Sequence, residues 1–384
     1  MSTLDYLEKL LSYDTTSAHS NSELITWAQS ELLSLGAAVK IIPNEDKSKA
    51  NLFATLGPKD FGGVMLSGHT DVVPVAGQDW TVPAFSMTRK DGKVFGRGSA
   101  DMKGFIASMM NAARKASAQS LKTPLHLALS YDEEVGCIGV RSMIDMLSNA
   151  PARPQMCIVG EPTGLLVATG HKGKIAARAK CTGRAGHSAL APFAVNAIYL
   201  ANDFITELRN MQDTLRLGAI QDSDYDVPYT TLHVGRIKGG GALNIVPHSC
   251  ELDFEIRNLA QDDAAKIFNN LTQAAKTIAL KAQKTAPESN IEIEVFNTYP
   301  GLDTAVAAPV VGFVKSLTGA NGTIKVAFGT EGGLFDQRLG VPTVVCGPGD
   351  MAQGHKPDEF ITETQLAACD AMLDNLIQHL VTGL

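Results

Sequence analysis

The sequence predicts an α/β protein in which a small α+β domain interrupts a larger one, and three observations carry that prediction. Apolar bursts of strand length alternate with helical patterns from the N-terminus onward, the signature of a sheet with helices packed on it. After about Gly173 the rhythm changes to the order βαββαβ, a complete ferredoxin-like unit, and the first style returns from about Asn297. The length, 384 residues, also exceeds what one core usually holds.

The opening segment MSTLDYLEKLLSYDTTS is an amphipathic helix pattern with acids inside it, unlike the basic stretch and unbroken apolar core of a leader. GGVMLSGH reads as a buried strand, MKGFIASMMNAARKASA as a helix, LHLALSYD as a strand, VRSMIDMLSNA as a helix and MCIVGE as a strand. In the second style KIAARAKCTGR alternates like a strand, FAVNAIYLANDFITELRNM is helical, and YTTLHVGRI and CELDFEIRN are strands. A helix in DDAAKIFNNLTQAAKTIALKAQ and a strand in NIEIEVF complete that unit. Strands in IKVAFG and TVVCG and a closing helix from about Glu363 follow. The expected organisation is a larger domain from residues 1–173 and 298–384, with residues 174–297 inserted.

Hydrophobic residues at 45% and charged residues at 19% describe an ordinary globular chain. The balance of 33 basic against 40 acidic residues gives −7 with no Lys/Arg-rich segment, which argues against a nucleic-acid partner. No run of about 18 apolar residues occurs, so neither secretion nor a membrane span is expected. Six cysteines, at 137, 157, 181, 250, 346 and 369, lack the paired spacing of a zinc knuckle or a disulfide framework, and a reducing cytoplasm is the expected compartment.

The chemistry concentrates at strand ends. His69 ends VMLSGH, Glu133 and Glu134 follow LHLALSYD, and Glu161 ends CIVGE; ligands in open α/β sheets gather at such carboxyl ends. The steps from His69 to Asp101, Asp101 to Glu134 and Glu134 to Glu161 are 32, 33 and 27 residues. Each is close to one strand-helix-strand unit of about 30 residues, so the chain can return to one edge each time. His355 follows in the Gly-rich stretch GPGDMAQGHKPDE. Four carboxylates packed there repel one another unless cations neutralise them, and two imidazoles add neutral donors. Two divalent metals solve the problem: Asp101 bridges, one ion takes His69 and Glu161, and the other takes Glu134 and His355. Glu133 is the acid left over, suited to be a general base, and Asp71 can orient His69. Singly, each residue has an ordinary reading: a structural histidine, a helix cap at Asp101, a solvated strand end at 132–134, a turn at Glu161 before Pro162. Jointly those readings require many coincidences.

The motifs SGHTDVVP (67–74), GRGSADMKGF (96–105), DEEVGCIG (132–139), VGEPT (159–163), GRAGHSA (183–189) and GHKPDE (354–359) resemble those of the dimetal amidohydrolase and peptidase family that includes acetylornithine deacetylase, succinyl-diaminopimelate desuccinylase and carboxypeptidase G. The resemblance spans the whole chain. It implies a zinc-peptidase-like catalytic domain with a central mixed sheet and an inserted dimerisation lid, hence a cytoplasmic homodimer. It further implies two zinc or cobalt ions on the ligands named above, Glu133 as base and Asp71 as support. His187 matches a lid histidine that stabilises the oxyanion across the dimer; taken alone it reads equally as a turn residue. Asn244 and Arg257 match lid residues that hold a substrate carboxylate, for which a guanidinium fork is suited, although Arg257 alone reads as a surface arginine. The stretches GHKGKI (170–175), VPYTTLHVGRIKGGGALNIVP (227–247) and GTEGGLF (329–335) place the chain nearest the acetylornithine-cleaving members. Glu331 would then recognise the side-chain ammonium of N-acetyl-L-ornithine. The implied reaction is hydrolysis to L-ornithine and acetate in arginine biosynthesis. The rivals are desuccinylation, dipeptide cleavage or broad aminoacylase activity on the same fold, and a relative that has lost catalysis; the presence of Glu133 and all five ligands argues against the last.

Overall fold

The computed structural model describes residues 1–59 and 62–384, and the chain forms two compact units. The first comprises residues 1–170, 302–326 and 330–384; the second comprises residues 171–301 and 327–329.

The first unit is built on a mixed sheet of nine strands. Eight follow the order Ala38–Pro43, Ala50–Leu56, Leu125–Ser130, Val64–His69, Met156–Pro162, Thr343–Gly347, Ala168–His171, Leu302–Asp303, and Ile324–Val326 pairs with Ala168–His171. The central strands Leu125–Ser130, Val64–His69, Met156–Pro162 and Thr343–Gly347 run parallel, so their carboxyl ends share one edge. Every residue of Val64–His69 and Leu125–Ser130 is buried, which is why both read as unbroken rather than alternating apolar runs.

The helix Lys103–Ser117 buries 12 of its 15 residues and packs against the opening helix Thr3–Leu11 and the closing helix Glu363–Thr382. Thr3–Leu11 starts on a reciprocal cap between Ser2 and Asp5 and buries Tyr6, Leu7, Leu10 and Leu11. The ring of Phe105 lies directly on Gly160, where a β-carbon would sit 1.9 Å from it. Only glycine permits that approach, and it draws the start of the helix, with Asp101 just before it, onto the strand that carries Glu161.

In the second unit the sheet order is Thr231–Gly239, Ser249–Arg257, Lys174–Thr182, Asn290–Tyr299, with every neighbour antiparallel. This is the ferredoxin-like arrangement that the βαββαβ pattern predicts. The helices Ala197–Arg216 and Ala264–Ala282 cover it through Phe204, Leu208 and Leu271, and Leu252, Phe254 and Ile256 form the buried face of their strand. Among the described residues no helix is long and apolar enough to cross a membrane. All six cysteines are free and buried.

One buried histidine makes the first unit acid-sensitive. His126 lies opposite Thr55 in the sheet, with Nδ1 2.9 Å from the threonine hydroxyl and its ring stacked on Phe53. Burial pushes its pKa from 6.5 down to about 4. The unfolded chain therefore takes up the proton first as pH falls, so stability present above about pH 6.5 is lost between there and about pH 4, to the extent of roughly 3 kcal/mol. In urea unfolding at pH 7 and pH 5, His126→Gln should lose less stability on acidification than the parent. An equal loss would remove His126 from the account.

Candidate metal centre

The parallel strands bring the predicted residues to one edge. His69 is the last residue of its strand, Glu161 lies at the end of Met156–Pro162, and Glu133 and Glu134 lie just beyond Leu125–Ser130. His355 stands in the turn-rich loop after Thr343–Gly347, with φ +61°. His69, Asp101 and Glu161 are buried, whereas the His355 side chain is 43% exposed.

Asp101 stands between two pairs of side chains. Its Oδ1 lies 3.1 Å from Nε2 of His69, which is also 3.7 Å from Glu161 Oε1. Its Oδ2 lies 3.2 Å from Nε2 of His355, which is 3.0 Å from Glu134 Oε2. Each half therefore offers one imidazole, one carboxylate and one oxygen of Asp101. The donor atoms of His69, Asp101 and Glu134 lie within 4.8 Å of one another, and so do those of His69, Glu133 and Glu161, so Glu133 stands at the His69 half.

Nδ1 of His69 donates to the main-chain carbonyl of Asp71 at 2.9 Å, which turns Nε2 toward the carboxylates. A lone pair facing carboxylate oxygens is tolerable only with a cation or a proton between them, so the donor set fits divalent metal. The charges agree. Burial and the neighbouring acids push Glu133 up to about 8 and Glu134 up to about 7, and Glu161 goes well above the carboxylate range for the same reasons. Hydrogen bonds to Asp101 and Glu134 raise His355 to about 10. Asp101 goes the other way: burial opposes its charge, but the two histidines hold it below the usual range. Without a cation the cluster balances its charge by keeping protons, and those are what metal ions would displace.

Asp71 does more than support His69, from whose Nδ1 its Oδ1 is 3.6 Å away. Its two carboxylate oxygens accept the main-chain N–H groups of Glu133 at 3.1 Å and Glu134 at 3.2 Å, and Ser17 donates to it at 2.8 Å. One buried acid thus sets the start of the loop that carries Glu133 and Glu134. Asp132, the first acid of the run, is bound by Lys49 instead. That divides the three consecutive acids: Asp132 anchors the loop, and Glu133 and Glu134 face the cluster.

Sequence reasoning missed Glu359. Its carboxylate accepts the N–H groups of Gly98, Ala100 and Asp101 at 3.1, 2.9 and 3.0 Å and the Arg97 guanidinium at 2.7 Å. Arg97 also donates to the carbonyl of Lys356, next to His355. The pair holds the Asp101 loop to the His355 loop, and both side chains are 1% exposed. Glu359 closes the GHKPDE motif and Arg97 is the second residue of GRGSAD, so both were in view without an assigned task.

Glu331 lies in the first unit and is buried, with Oε2 3.4 Å from the Ser67 hydroxyl, the Ser130 hydroxyl beside the carboxylate, and Oε1 without a well-formed hydrogen bond among the described residues. Burial pushes its pKa up to about 7. The remaining three candidates are in the second unit. His187 is exposed and its Nδ1 accepts the N–H of Ala189 at 3.2 Å, while Ser188 donates to the carbonyl of Asn244 at 3.0 Å, so His187 and Asn244 share one patch. Arg257 stands apart from them; its Nε donates to Glu255 at 3.1 Å and its NH1 to the Tyr299 hydroxyl at 2.9 Å.

Residues 65–379 match the model of peptidase family M20/M25/M40, and the chain belongs to that family. Among curated relatives it is 35% identical to the acetylornithine deacetylase of Pasteurella multocida, over 95% of this chain and 92% of that one. It is 34% identical to the acetylornithine deacetylase of Myxococcus xanthus, over 98% and 97%. The fold matches a metallo-carboxypeptidase of the family from Sulfolobus solfataricus with TM-score 0.83 and 19% identity, covering 100% of both chains. It also matches a dinuclear metal-binding peptidase from Bacillus subtilis with TM-score 0.71 and 14% identity, covering 99% and 98%.

Proposed function

We propose that this protein hydrolyses N-acetyl-L-ornithine to L-ornithine and acetate in arginine biosynthesis, with two divalent ions held by His69, Asp101, Glu134, Glu161 and His355. The observation that carries the reading is Asp101 turning one oxygen to each imidazole in a chain 35% identical to an acetylornithine deacetylase. When bound, two such ions supply the Lewis acidity that acidifies water and polarises an amide carbonyl. Zinc suits the donor set, and cobalt is accepted by the same ligands. Glu133 takes one proton of the attacking water and returns it to the amide nitrogen as the C–N bond breaks, so the amine leaves neutral and the water oxygen ends in acetic acid, which gives up the second proton to become acetate. Asp71 keeps Glu133 and Glu134 in place through their backbones.

By the family resemblance Asn244 and Arg257 would hold the substrate carboxylate, although the structure does not bring the two together, and Glu331 would receive the ammonium. A buried carboxylate oxygen without a well-formed hydrogen bond gains most from a cation, and an unbranched three-carbon chain can carry an ammonium into a site that is 1% exposed. Glu331→Gln should reduce the preference for N-acetyl-L-ornithine over N-acetyl-L-norvaline, whose side chain lacks the charge, by about tenfold or more. An unchanged ratio of kcat/KM values would remove Glu331 from recognition.

The protein acts as a cytoplasmic homodimer in which His187 stabilises the oxyanion of the neighbouring site. Leu190, Phe193, Tyr199, Leu243 and Ile245, all at least half exposed, support pairing through the patch that holds His187, and six free buried cysteines support a reducing compartment. Phe193→Asp with Leu243→Asp should yield a monomer by light scattering and lower kcat; a dimer of unchanged mass would place the interface elsewhere.

The deciding experiment is amine release from N-acetyl-L-ornithine by zinc- or cobalt-loaded protein beside N-succinyl-diaminopimelate, with a chelated control. Chelator-sensitive turnover of acetylornithine alone is expected. Preferential turnover of the succinyl substrate would overturn the substrate assignment.

A further inference from the structure

The proposed general base has one side-chain partner that neither motif nor family assigns. Cys137 lies four residues beyond Glu133, is 1% exposed, and places Sγ 3.3 Å from Glu133 Oε1. The intervening loop is tightly closed: Gly136 and Cys137 both donate to the Glu133 carbonyl, at 2.7 and 2.8 Å, and Ile138 donates to that of Asp132 at 3.0 Å. The turn holds Cys137 at φ +55°, a region where glycine is unstrained and a residue with a β-carbon is not. The chain uses glycine at the preceding position, Gly136, at φ +116°, yet keeps a side chain here. The only polar group that this side chain adds is a thiol aimed at the base.

We propose that Cys137 is a positioning residue for the hydrolysis, its S–H donating to Oε1 of Glu133 and so fixing the carboxylate with Oε2 free to exchange protons. Burial and the nearby acids hold the thiol protonated, as a donor must be. The contact fixes a rotatable side chain at two points, its backbone through Asp71 and its end through Cys137. Accurate placement of a proton-transferring group acts on the chemical step, so the effect falls on kcat rather than KM.

The inference rests on Glu133 being the base, and the experiment separates the two. Steady-state kinetics on N-acetyl-L-ornithine, with bound zinc counted and thermal midpoints recorded, would compare the parent with Cys137→Ala, Cys137→Ser, Glu133→Ala and the Glu133→Ala/Cys137→Ala pair. Cys137→Ala should lower kcat about tenfold, the order that a hydrogen bond to a charged group carries, with KM and zinc content within about twofold. Cys137→Ser, which keeps a donor, should recover most of that loss. On the Glu133→Ala background the second change should cost nothing more, because the thiol acts through the carboxylate. Equal losses in the Ala and Ser variants, an unaltered kcat in Cys137→Ala, or a further fall on the Glu133→Ala background would overturn the role of Cys137. Parent-like turnover in Glu133→Ala would overturn the base assignment itself. Should Cys137→Ala prove unstable, Cys137→Gly removes the donor while relieving the backbone, and the same kcat loss is expected of it.

Discussion

Replacing Glu133 with Gln is expected to lower kcat for N-acetyl-L-ornithine by about three orders of magnitude, the middle of the range for a positioned acid-base group. Gln keeps the size and one acceptor oxygen, so the Cys137 contact and the main-chain bond to Asp71 can survive, and only proton transfer is lost. KM and bound metal should stay within about twofold, because a group acting only in the transition state leaves ground-state binding unchanged. Pre-steady-state amine release with parallel metal analysis checks both parts. A fall in metal content that matches the fall in kcat would make Glu133 a ligand, which its closeness to His69 and Glu161 makes a real alternative.

The second large effect is expected at Asp101. Asp101→Ala removes both oxygens that stand between the histidines, and its neighbours cannot move in: Glu161 lies at the end of a paired strand and His69 is tied to Asp71. Zinc affinity should fall by well over about 100-fold, since changes to groups that merely orient ligands already reach that scale. Both ions should be lost together, and turnover at stoichiometric zinc should become undetectable. Calorimetric zinc titration of metal-free protein provides the test. Retention of two tight sites would refute the bridge. The companion variant Glu359→Gln should weaken zinc by a smaller factor, about 10-fold, because it loosens the loop rather than removing the ligand.

Much of this centre was legible in the sequence because parallel sheets impose a rule on spacing. Steps of 32, 33 and 27 residues return the chain to one edge, so acids and a histidine at strand ends must meet. Charge then pointed to cations: four carboxylates and two imidazoles in one place must be balanced by protons or by metal ions. The inserted unit was legible for a similar reason, since alternation in CELDFEIRN gave Leu252, Phe254 and Ile256 one face and that face is buried. What could not be read were partners whose bonds run to backbone. Glu359 accepts three main-chain N–H groups, and Asp71 two beyond its link to His69; no side-chain type at any spacing announces such contacts.

By itself, then, the sequence determined the strand pattern and the edge at which acids and histidines gather, because periodicity, strand spacing and charge are properties of residue order, while the reaction class came from the likeness of its motifs to a known family. Only the tertiary structure decided which oxygen of Asp101 faces which histidine, which of three consecutive acids is diverted to Lys49, and that a cysteine in a left-handed turn reaches Glu133. Those outcomes depend on where folding sets each side chain against its neighbours, to within a few tenths of an ångström. Such distances are set by packing, as where Phe105 rests on Gly160, and packing is a property of the whole fold rather than of any one stretch.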